Sequence, residues 1–451
     1  MQEKSLKLNQ INNWPLAILA IIFLVALSLN FVSWMVILGV LLIFVGYILL
    51  DKQLWTLLIF SLIVVILGQF INFEIRPGWV YEISLTEVTL ILAVAIFLVS
   101  AIFKKQFLKI KFDNISFLLF VYLAVSLISF FWISSTRLFI NEFKVVVFSL
   151  LAYWLSLNLL DNYYKIKKFI YGLAVLVFVL SLQIFWEMFQ LGASSKLFMD
   201  RSAILIPIGA IALVSAVLSL MLPLLLAFYF SLAKENNCRI FVLISFLTGL
   251  IAILLIMAKA AIISLFISLL YLFIKLKHKR LALSLVFSTF IIVSSLVFAP
   301  YISGLFERVA NVVGDQNTQF RKQEYQIGWK IIRQHAWFGV GVGQQPLHYQ
   351  KEFGFEYRNL VNNFFMQSTI DLGLVGLIIL GLIIKKIIYI SKSFNQKYPA
   401  NRLIHFGFIA SLLAAISNGL FEVTFFALYY AIIFWVMMGA FVNLQKNQET
   451  L

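Results

Sequence analysis

The chain has 451 residues, of which 63% are hydrophobic and only 12% are charged, and its formal net charge is +16 at pH 7. Apolar runs of about 15 to 30 residues recur from end to end, which excludes a soluble globular domain and predicts an all-α polytopic membrane protein. The single cysteine, Cys238, excludes a disulfide framework and a thiolate metal site. The four histidines do not cluster at ligand spacing, so we expect neither a metal nor a cofactor.

Fourteen apolar runs fit the roughly 20 residues that a helix needs to cross a bilayer. In chain order they are 15–30, 32–50, 54–72, 85–103, 115–133, 143–160, 169–190, 203–232, 240–257, 260–274, 281–299, 366–384, 403–421 and 424–443. The run 203–232 contains Pro207 and Pro223, so a broken or re-entrant element can precede its full span. The runs 240–257 and 260–274 would fuse if Lys259 did not reach the outer surface. We therefore predict 12 to 14 transmembrane helices.

The basic residues set the predicted orientation and domain plan. Alternate loops collect 22 of the 35 lysines and arginines against six acids, which is the whole net charge of +16, and this side is predicted to be the cytoplasm with both termini in it. The positive charge is then a topological signal and not a nucleic-acid surface, and no cleavable signal peptide is needed. One integral membrane domain is expected, with an N-terminal bundle (1–300), an extracytoplasmic loop containing short amphipathic helices (301–365) and C-terminal helices (366–451).

The stretch 301–365 is the only polar passage long enough to build a site. Its segment FRKQEYQIGWKIIRQHAWFGVGVG (320–343) predicts an amphipathic helix. One stripe of this helix carries Lys322, Gln326, Lys330 and Arg333, and a more apolar stripe beside it carries Arg321, Tyr325, Trp329 and Ile332. Such a helix can lie at the headgroup level with its cations toward a phosphate, or it can simply adsorb to anionic lipids.

Other candidate residues fall on the same predicted side. Arg201 opens a span in MDRSAILIPIG (199–209), and Lys259 interrupts a long apolar stretch. Lys259 is either an interfacial lysine that reaches water or a ligand for a lipid-linked anion. The glycines of GVGVG (339–343) lack the flanks of a dinucleotide fingerprint and, taken alone, indicate a hinge.

These residues resemble the motifs of the O-antigen ligase and polymerase superfamily over about residues 199 to 376. That family shows an Arg before a Pro-containing span, a Ser-Arg-Gly turn, an Arg and a Trp before His-Pro-x-x-Gly-x-Gly, and His-Asn followed after nine residues by Gly-x-x-Gly. The similar residues here are Arg201 with Pro207, Ala258-Lys259-Ala260, Arg321 and Trp329 before His335 to Gly341, and Asn362-Asn363 before Gly373 to Gly376. The motif His is Asn362 in this chain, and a neutral amide cannot take a proton at neutral pH.

The resemblance implies a GT-C-like membrane glycosyltransferase that inverts the anomeric carbon without a metal. Its donor would be an undecaprenyl-pyrophosphate-linked oligosaccharide at the outer face of the cytoplasmic membrane, and fixed cations would stabilise the departing pyrophosphate. The predicted substrate-binding residues are Arg201, Lys259, Arg321, Lys322, Arg333, Asn362 and Asn363, and the candidate bases are His335 and His348.

Several alternatives stay open at this point. The acceptor can be another lipid-linked repeat, as in an O-antigen or exopolysaccharide polymerase, or lipid A core, another carrier or a protein, as in a ligase or protein O-oligosaccharyltransferase. Loss of the motif His favours the polymerase. A secondary transporter or flippase would also have many spans, but no inverted repeat is visible and the polar residues gather in one loop. A homologue with a purely structural role is a third alternative. The expected partners are the lipid-linked donor, a glycan or lipid-carrier acceptor, the bilayer and other polysaccharide-assembly proteins, with no nucleic acid.

Overall fold

The computed structural model describes residues 55–63, 70–76, 79–103, 110–190, 211–232, 238–256, 258–276, 284, 316–354, 360–392 and 399–446. The predicted spans 15–30 and 32–50, nearly all of 281–299, and Arg201 lie outside the described residues.

The described chain is helical apart from short 3₁₀ turns, loops and one hairpin. Its helices are α1 (Trp55–Ile63), α2 (Leu85–Phe103), α3 (Asn114–Ile128), α4 (Thr136–Leu159), α5 (Tyr163–Gln190), α6 (Ile211–Ser231), α7 (Cys238–Ile256), α8 (Lys259–Lys275), α9 (Gln316–Gln334), α10 (Gln345–Phe353), α11 (Phe364–Lys392), α12 (Pro399–Gly419) and α13 (Leu428–Lys446). Strands β1 (Phe70–Arg76) and β2 (Trp79–Ser84) pair antiparallel.

Eight helices in the described residues are long and apolar enough to cross a membrane, namely α3 with its 3₁₀ extension to Trp132, α4, α5, α6, α7, α11, α12 and α13. A shorter apolar helix, Thr86–Ile102, lies within α2. The protein is therefore a multi-pass membrane protein of the all-α class, which confirms the predicted fold class.

Two predicted boundaries are wrong for local reasons. The run 54–72 does not remain helical to its end, because β1 begins at Phe70 and pairs with β2. The run 143–160 belongs to a helix that begins at Thr136, where the hydroxyl of Ser135 accepts a hydrogen bond from the backbone N–H of Leu138. Because of this cap, α4 includes a polar first turn that hydropathy alone would assign to a loop.

The centre of the bundle is formed by α13 and by α6 from Val214 to Phe228, where apolar residues are buried on all sides of the helix. Helix α6 packs against α5, α7, α8 and α12, and α13 packs chiefly along α4. Small residues allow close approach: a Cβ added at Gly407 of α12 would lie 2.7 Å from the Cβ of Ala227 in α6. Pro223 is accommodated within α6, which is an unbroken helix from Ile211 to Ser231.

Hydrogen bonds between helix ends show which ends lie together at each of the two ends of the bundle. Asp113, just before α3, accepts a hydrogen bond from the Tyr153 hydroxyl near the end of α4 at 2.8 Å. Asn443, near the end of α13, donates to the carbonyl of Leu157 at 2.8 Å. At the other ends of these helices, the turn between α12 and α13 contacts α9. We call this second end of the bundle the α9 face.

Helix α11 is broken at Gly373, which has φ 64° and ψ −159°, and residues 336–343 pack into the break. We call residues 336–343 the glycine segment. Four backbone hydrogen bonds join it to α11: Val340 N–H to Ile370 C=O at 2.9 Å, Gly341 N–H to Asp371 C=O at 3.0 Å, Leu374 N–H to Ala336 C=O at 2.8 Å and Val375 N–H to Trp337 C=O at 3.3 Å. The segment thus supplies partners to backbone groups that a break in an apolar helix would otherwise leave without hydrogen bonds.

Glycine is required on both sides of this junction. A Cβ at Gly339 would lie 2.4 Å from the backbone of Asp371, and one at Gly373 would lie 2.3 Å from the backbone of Trp337. Both residues also have positive φ, which a side chain disfavours. The glycines therefore allow the close backbone packing at this junction, and the hinge that the sequence indicates for them stays a prediction.

Gln344 ties the same junction to the turn between α3 and α4. Its side chain is 1% exposed. Its Oε1 accepts from the backbone N–H groups of Ser134 and Ser135 at 3.0 and 2.8 Å, and its Nε2 donates to the carbonyl of Ser135 at 2.9 Å. The glycine segment is thus held between α11 and the α3–α4 turn.

We predict that Gly373→Ala destabilises the protein while Gly381→Ala does not. At Gly373 the added methyl meets backbone and the positive φ is strained, which together cost about 2 kcal/mol or more. Gly381 lies in the same helix, and a Cβ there meets nothing within 4 Å. The measurement is thermal unfolding of the two purified variants in detergent. Equal melting temperatures would contradict the assigned role of Gly373.

Candidate functional site

Helix α9 is amphipathic, as its sequence predicts. Glu324, Gly328, Ile331 and Ile332 are buried, in a face that packs against α10 and α11. The predicted polar stripe, comprising Lys322, Gln326, Lys330 and Arg333, is exposed. The helix therefore presents its cations outward while its other face is fixed to the bundle.

An open groove of about 680 Å³ runs along the first half of α9. Its lining residues are Arg321, Lys322, Tyr325, Gln326, Trp329 and Met366. The groove combines two cations with two aromatic rings. The cations can bind an anionic group, and the rings provide a flat apolar surface for a sugar or isoprenoid unit. We call this groove the α9 groove.

Two cations of α9 already have carboxylate partners. The Arg321 guanidinium lies 3.0 Å from Glu422 and donates to the carbonyl of Phe421 at 3.2 Å. Lys330 lies 2.7 Å from Glu352 of α10. Pairs this exposed contribute no more than about 1 kcal/mol to stability. An anionic ligand would therefore share Arg321 with Glu422, or displace Glu422 from it, at little energetic cost.

The predicted cations do not all meet at one point. Arg321 and Arg333 lie in the same helix and are separated by about 18 Å along its axis. The Arg333 guanidinium lies 5.7 Å from the centre of the Trp329 ring. One diphosphate cannot bridge Arg321 and Arg333 directly, so Arg333 would have to contact a different part of a substrate.

Lys259 is exposed at the first residue of α8. The ring of Tyr271, near the other end of α8, lies 6.4 Å from that of Phe406 near the start of α12, so Lys259 is placed at the α9 face. Helix α8 packs chiefly against α6 and α12, whereas α9 packs against α10 and α11. Lys259 and the α9 groove thus lie on the same face of the bundle, on helices that pack chiefly against different partners.

The two candidate bases lie together at the far end of α9. The rings of His335 and His348 are 5.5 Å apart. Burial, followed by the neighbouring His335 and Lys351, lowers the pKa of His348 below its ordinary value of 6.5. The lowered pKa favours the neutral form of His348, which is the form that a base requires.

The two adjacent asparagines make different contacts. The side-chain amide of Asn362 donates to Glu324 at 3.1 Å. Its backbone carbonyl accepts from the Tyr325 hydroxyl at 2.9 Å. Asn363 caps α11 through a 3.0 Å hydrogen bond from the backbone N–H of Met366, and its amide donates to the carbonyl of Leu420 at 3.1 Å. Asn362 thus stands beside the α9 groove, while Asn363 joins α11 to the α12–α13 turn.

By sequence alone, Glu324 is interpreted as a solvated or structural residue rather than a base, and the structure shows that it is buried. It is 0% exposed. Spacing carries the signal, because Glu324 lies one helical turn from Phe320 and one turn from Gly328, on the stripe that faces the bundle. The two predicted stripes of α9 are defined by its cations, and neither of them includes Glu324.

Comparison with known families adds to this geometry. Residues 244–381, from within α7 into the second half of α11, match the family model described as O-antigen ligase. This segment is therefore similar to the O-antigen ligase family over about a third of the chain. Comparison with curated proteins gives no match.

The matched residues include Lys259, α9, the glycine segment, Asn362 and Asn363. Arg201 and Glu422 lie outside the matched residues. The family supports a membrane glycan-transfer function and a glycosyltransferase type of enzyme. The resemblance seen in the sequence is thereby confirmed at the level of the superfamily.

We predict that His348→Gln makes the protein less sensitive to acid. Because the folded-state pKa of His348 is lowered, its contribution to stability is complete above the ordinary pKa and declines as the pH falls through that value toward the lowered one. Between about pH 8 and about pH 5, the fall in melting temperature should be smaller for His348→Gln than for the unmodified protein. Gln350→Ala, at an exposed neighbour in α10, should leave that fall unchanged; an identical fall in all three proteins would exclude the assignment.

Proposed function

We propose that this protein transfers glycan from a polyprenyl-diphosphate-linked oligosaccharide at the outer face of the cytoplasmic membrane. The α9 groove is the observation that carries the proposal, because it sets Arg321 and Lys322 beside two aromatic rings at one end of an apolar helical bundle. The match to the O-antigen ligase family supports the same reaction class.

The cations would act on the leaving group. During transfer, the bond from the anomeric carbon to the diphosphate oxygen breaks, its electron pair stays on the diphosphate, and an acceptor hydroxyl oxygen forms the new bond. Arg321 presents a planar fork that suits phosphate oxygens, and Lys322 adds a point charge. In this proposal the two cations stabilise the developing charge, the anomeric carbon inverts, and no metal takes part.

Exposed aromatic residues support a location at the membrane interface. Trp337 and Phe338, directly after α9, are 66% and 61% exposed. Tryptophan concentrates at the headgroup level, and the apolar ring of Phe338 beside it can contact the lipid chains. With these side chains in the interface, the lipid part of the donor can lie against the spans while its diphosphate reaches the α9 groove.

The acceptor in this proposal is a second lipid-linked repeat, which makes the protein a polymerase. Asn362 supports this choice, since it stands where the resemblance has the His that ligases are thought to use for acceptor activation. Ligation to another carrier or to a protein is the alternative outcome of the same experiments.

We predict that Arg321→Ala and Lys322→Ala each reduce glycan transfer by about ten- to a hundredfold, the effect of losing one charged contact to the leaving group. Lys330→Ala is the matched control, because Lys330 lies in the same helix but is paired with Glu352 outside the groove. The measurement is the length distribution of surface glycan in cells that carry each variant as the only copy.

The products then separate the possible outcomes. Single-repeat glycan in the Arg321 and Lys322 variants supports a polymerase, and unattached lipid-linked polymer supports a ligase. Normal glycan in both variants, with the protein present at its usual level, would overturn the role of the α9 groove.

The histidines provide a further test. Helix rise places His335 about 16 Å from Glu324, which is too far for direct proton transfer at Asn362. We therefore expect the double variant His335→Gln, His348→Gln to retain transfer within a few-fold of the unmodified rate. A loss of a hundredfold or more, the usual effect of removing a general base, would instead place the reacting centre at the far end of α9.

A further inference from the structure

Glu324 and Asn362 form a buried polar contact that joins α9 to the chain just before α11. The carboxylate lies 3.1 Å from the side-chain nitrogen of Asn362 and 3.5 Å from its backbone nitrogen. Two further hydrogen bonds fix the surroundings: Tyr325 donates to the Asn362 carbonyl at 2.9 Å, and Tyr349 donates to the Glu324 carbonyl at 2.8 Å. The backbones on both sides of the contact are therefore held in place.

This contact determines which way the Asn362 amide points. The NH₂ group of the amide faces the two carboxylate oxygens of Glu324, so the carbonyl Oδ1 faces away from them. No group in the described part of the chain donates to this Oδ1. Glu324 is completely buried whereas Asn362 is partly exposed, so the outward-facing atom of the pair is a hydrogen-bond acceptor.

The acceptor atom stands beside the α9 groove. Tyr325 both lines the groove and binds the Asn362 backbone, and Met366, one turn into α11, lines the groove as well. A sugar hydroxyl entering from the groove is a donor of the kind that Oδ1 lacks. An amide held in one orientation loses little conformational entropy when it binds such a group.

We propose that Asn362 Oδ1 binds the hydroxyl of the glycan acceptor and that Glu324 is the positioning residue that holds the amide in this orientation. The inference rests on the proposed function, since it assumes that a glycan acceptor enters the α9 groove. Glu324 does not itself touch the substrate in this proposal and acts only through Asn362. Glu324→Gln removes that control, because a glutamine can donate to Oδ1 and turn the Asn362 amide around.

The test measures acceptor binding without turnover. The full-length protein in detergent is titrated calorimetrically with the methyl glycoside of the host's repeat-unit oligosaccharide, and separately with undecaprenyl diphosphate. The variants are Glu324→Gln, Asn362→Ala, the double variant, and Glu352→Gln as a control at an exposed carboxylate of α10. Melting temperatures are recorded for all of them.

Glu324→Gln and Asn362→Ala should each weaken binding of the glycoside about tenfold, the loss of one hydrogen bond. The double variant should be no weaker than Asn362→Ala, because both changes act through the same amide. Binding of undecaprenyl diphosphate should stay unchanged in every variant, and Glu352→Gln should match the unmodified protein in both titrations.

Two results would overturn the inference. One is unchanged glycoside binding in Glu324→Gln. The other is a loss of glycoside binding in Glu324→Gln that is repeated in the Asn362→Ala background, with a lowered melting temperature and weaker binding of undecaprenyl diphosphate. That combination is expected for a purely structural residue. Failure of the proposed function is a separate observation: the unmodified protein would then bind no undecaprenyl diphosphate and transfer no glycan.

Discussion

The backbone junction between the glycine segment and the break in α11 sets the geometry of the α9 face. A helix interrupted inside an apolar bundle has N–H and C=O groups without partners, and each unsatisfied group costs about 1–3 kcal/mol. The glycine segment supplies those partners and can approach closely only because it has no Cβ at Gly339. Helix α9 precedes this segment directly, so its C-terminal end is positioned by the junction.

The other end of α9 is held by side chains. Arg321 reaches the α12–α13 turn, and Glu324 and Tyr325 reach Asn362 before α11. Contacts at both ends thus place the exposed stripe of α9 on the outer side of the bundle. A rigid support of this kind is what a binding site for a charged, partly lipid-embedded ligand requires, because a loosely held cation loses much of its electrostatic effect to reorganisation.

Hydropathy and periodicity predict the spans and the stripes of α9 because burial in a bilayer acts on each helix separately. They fail where one polar contact joins distant segments. The contact between Glu324 and Asn362, and the pairing of His335 with His348, depend on how α9 lies against α10 and α11, which no single-helix pattern records. The β1–β2 hairpin was missed for a related reason, since Phe70 and its neighbours are apolar enough to read as the end of a span. The alternating glycines were recognised, but their partner at Gly373 becomes apparent only once α11 is seen to be broken.

The amide at position 362 changes what the site can contribute to transfer. A general base typically accelerates proton transfer by about 10² to 10⁴, and an amide oxygen cannot supply that acceleration. The remaining contributions are orientation of the hydroxyl and stabilisation of the departing diphosphate, and both increase when the groups are fixed in advance. Breaking the bond to a diphosphate builds negative charge early, whereas an acceptor hydroxyl becomes acidic only as its new bond forms. In the proposed reaction, cations at Arg321 and Lys322 and a hydrogen-bond acceptor at Asn362 would favour leaving-group departure first and deprotonation late, which would reduce the need for a strong base.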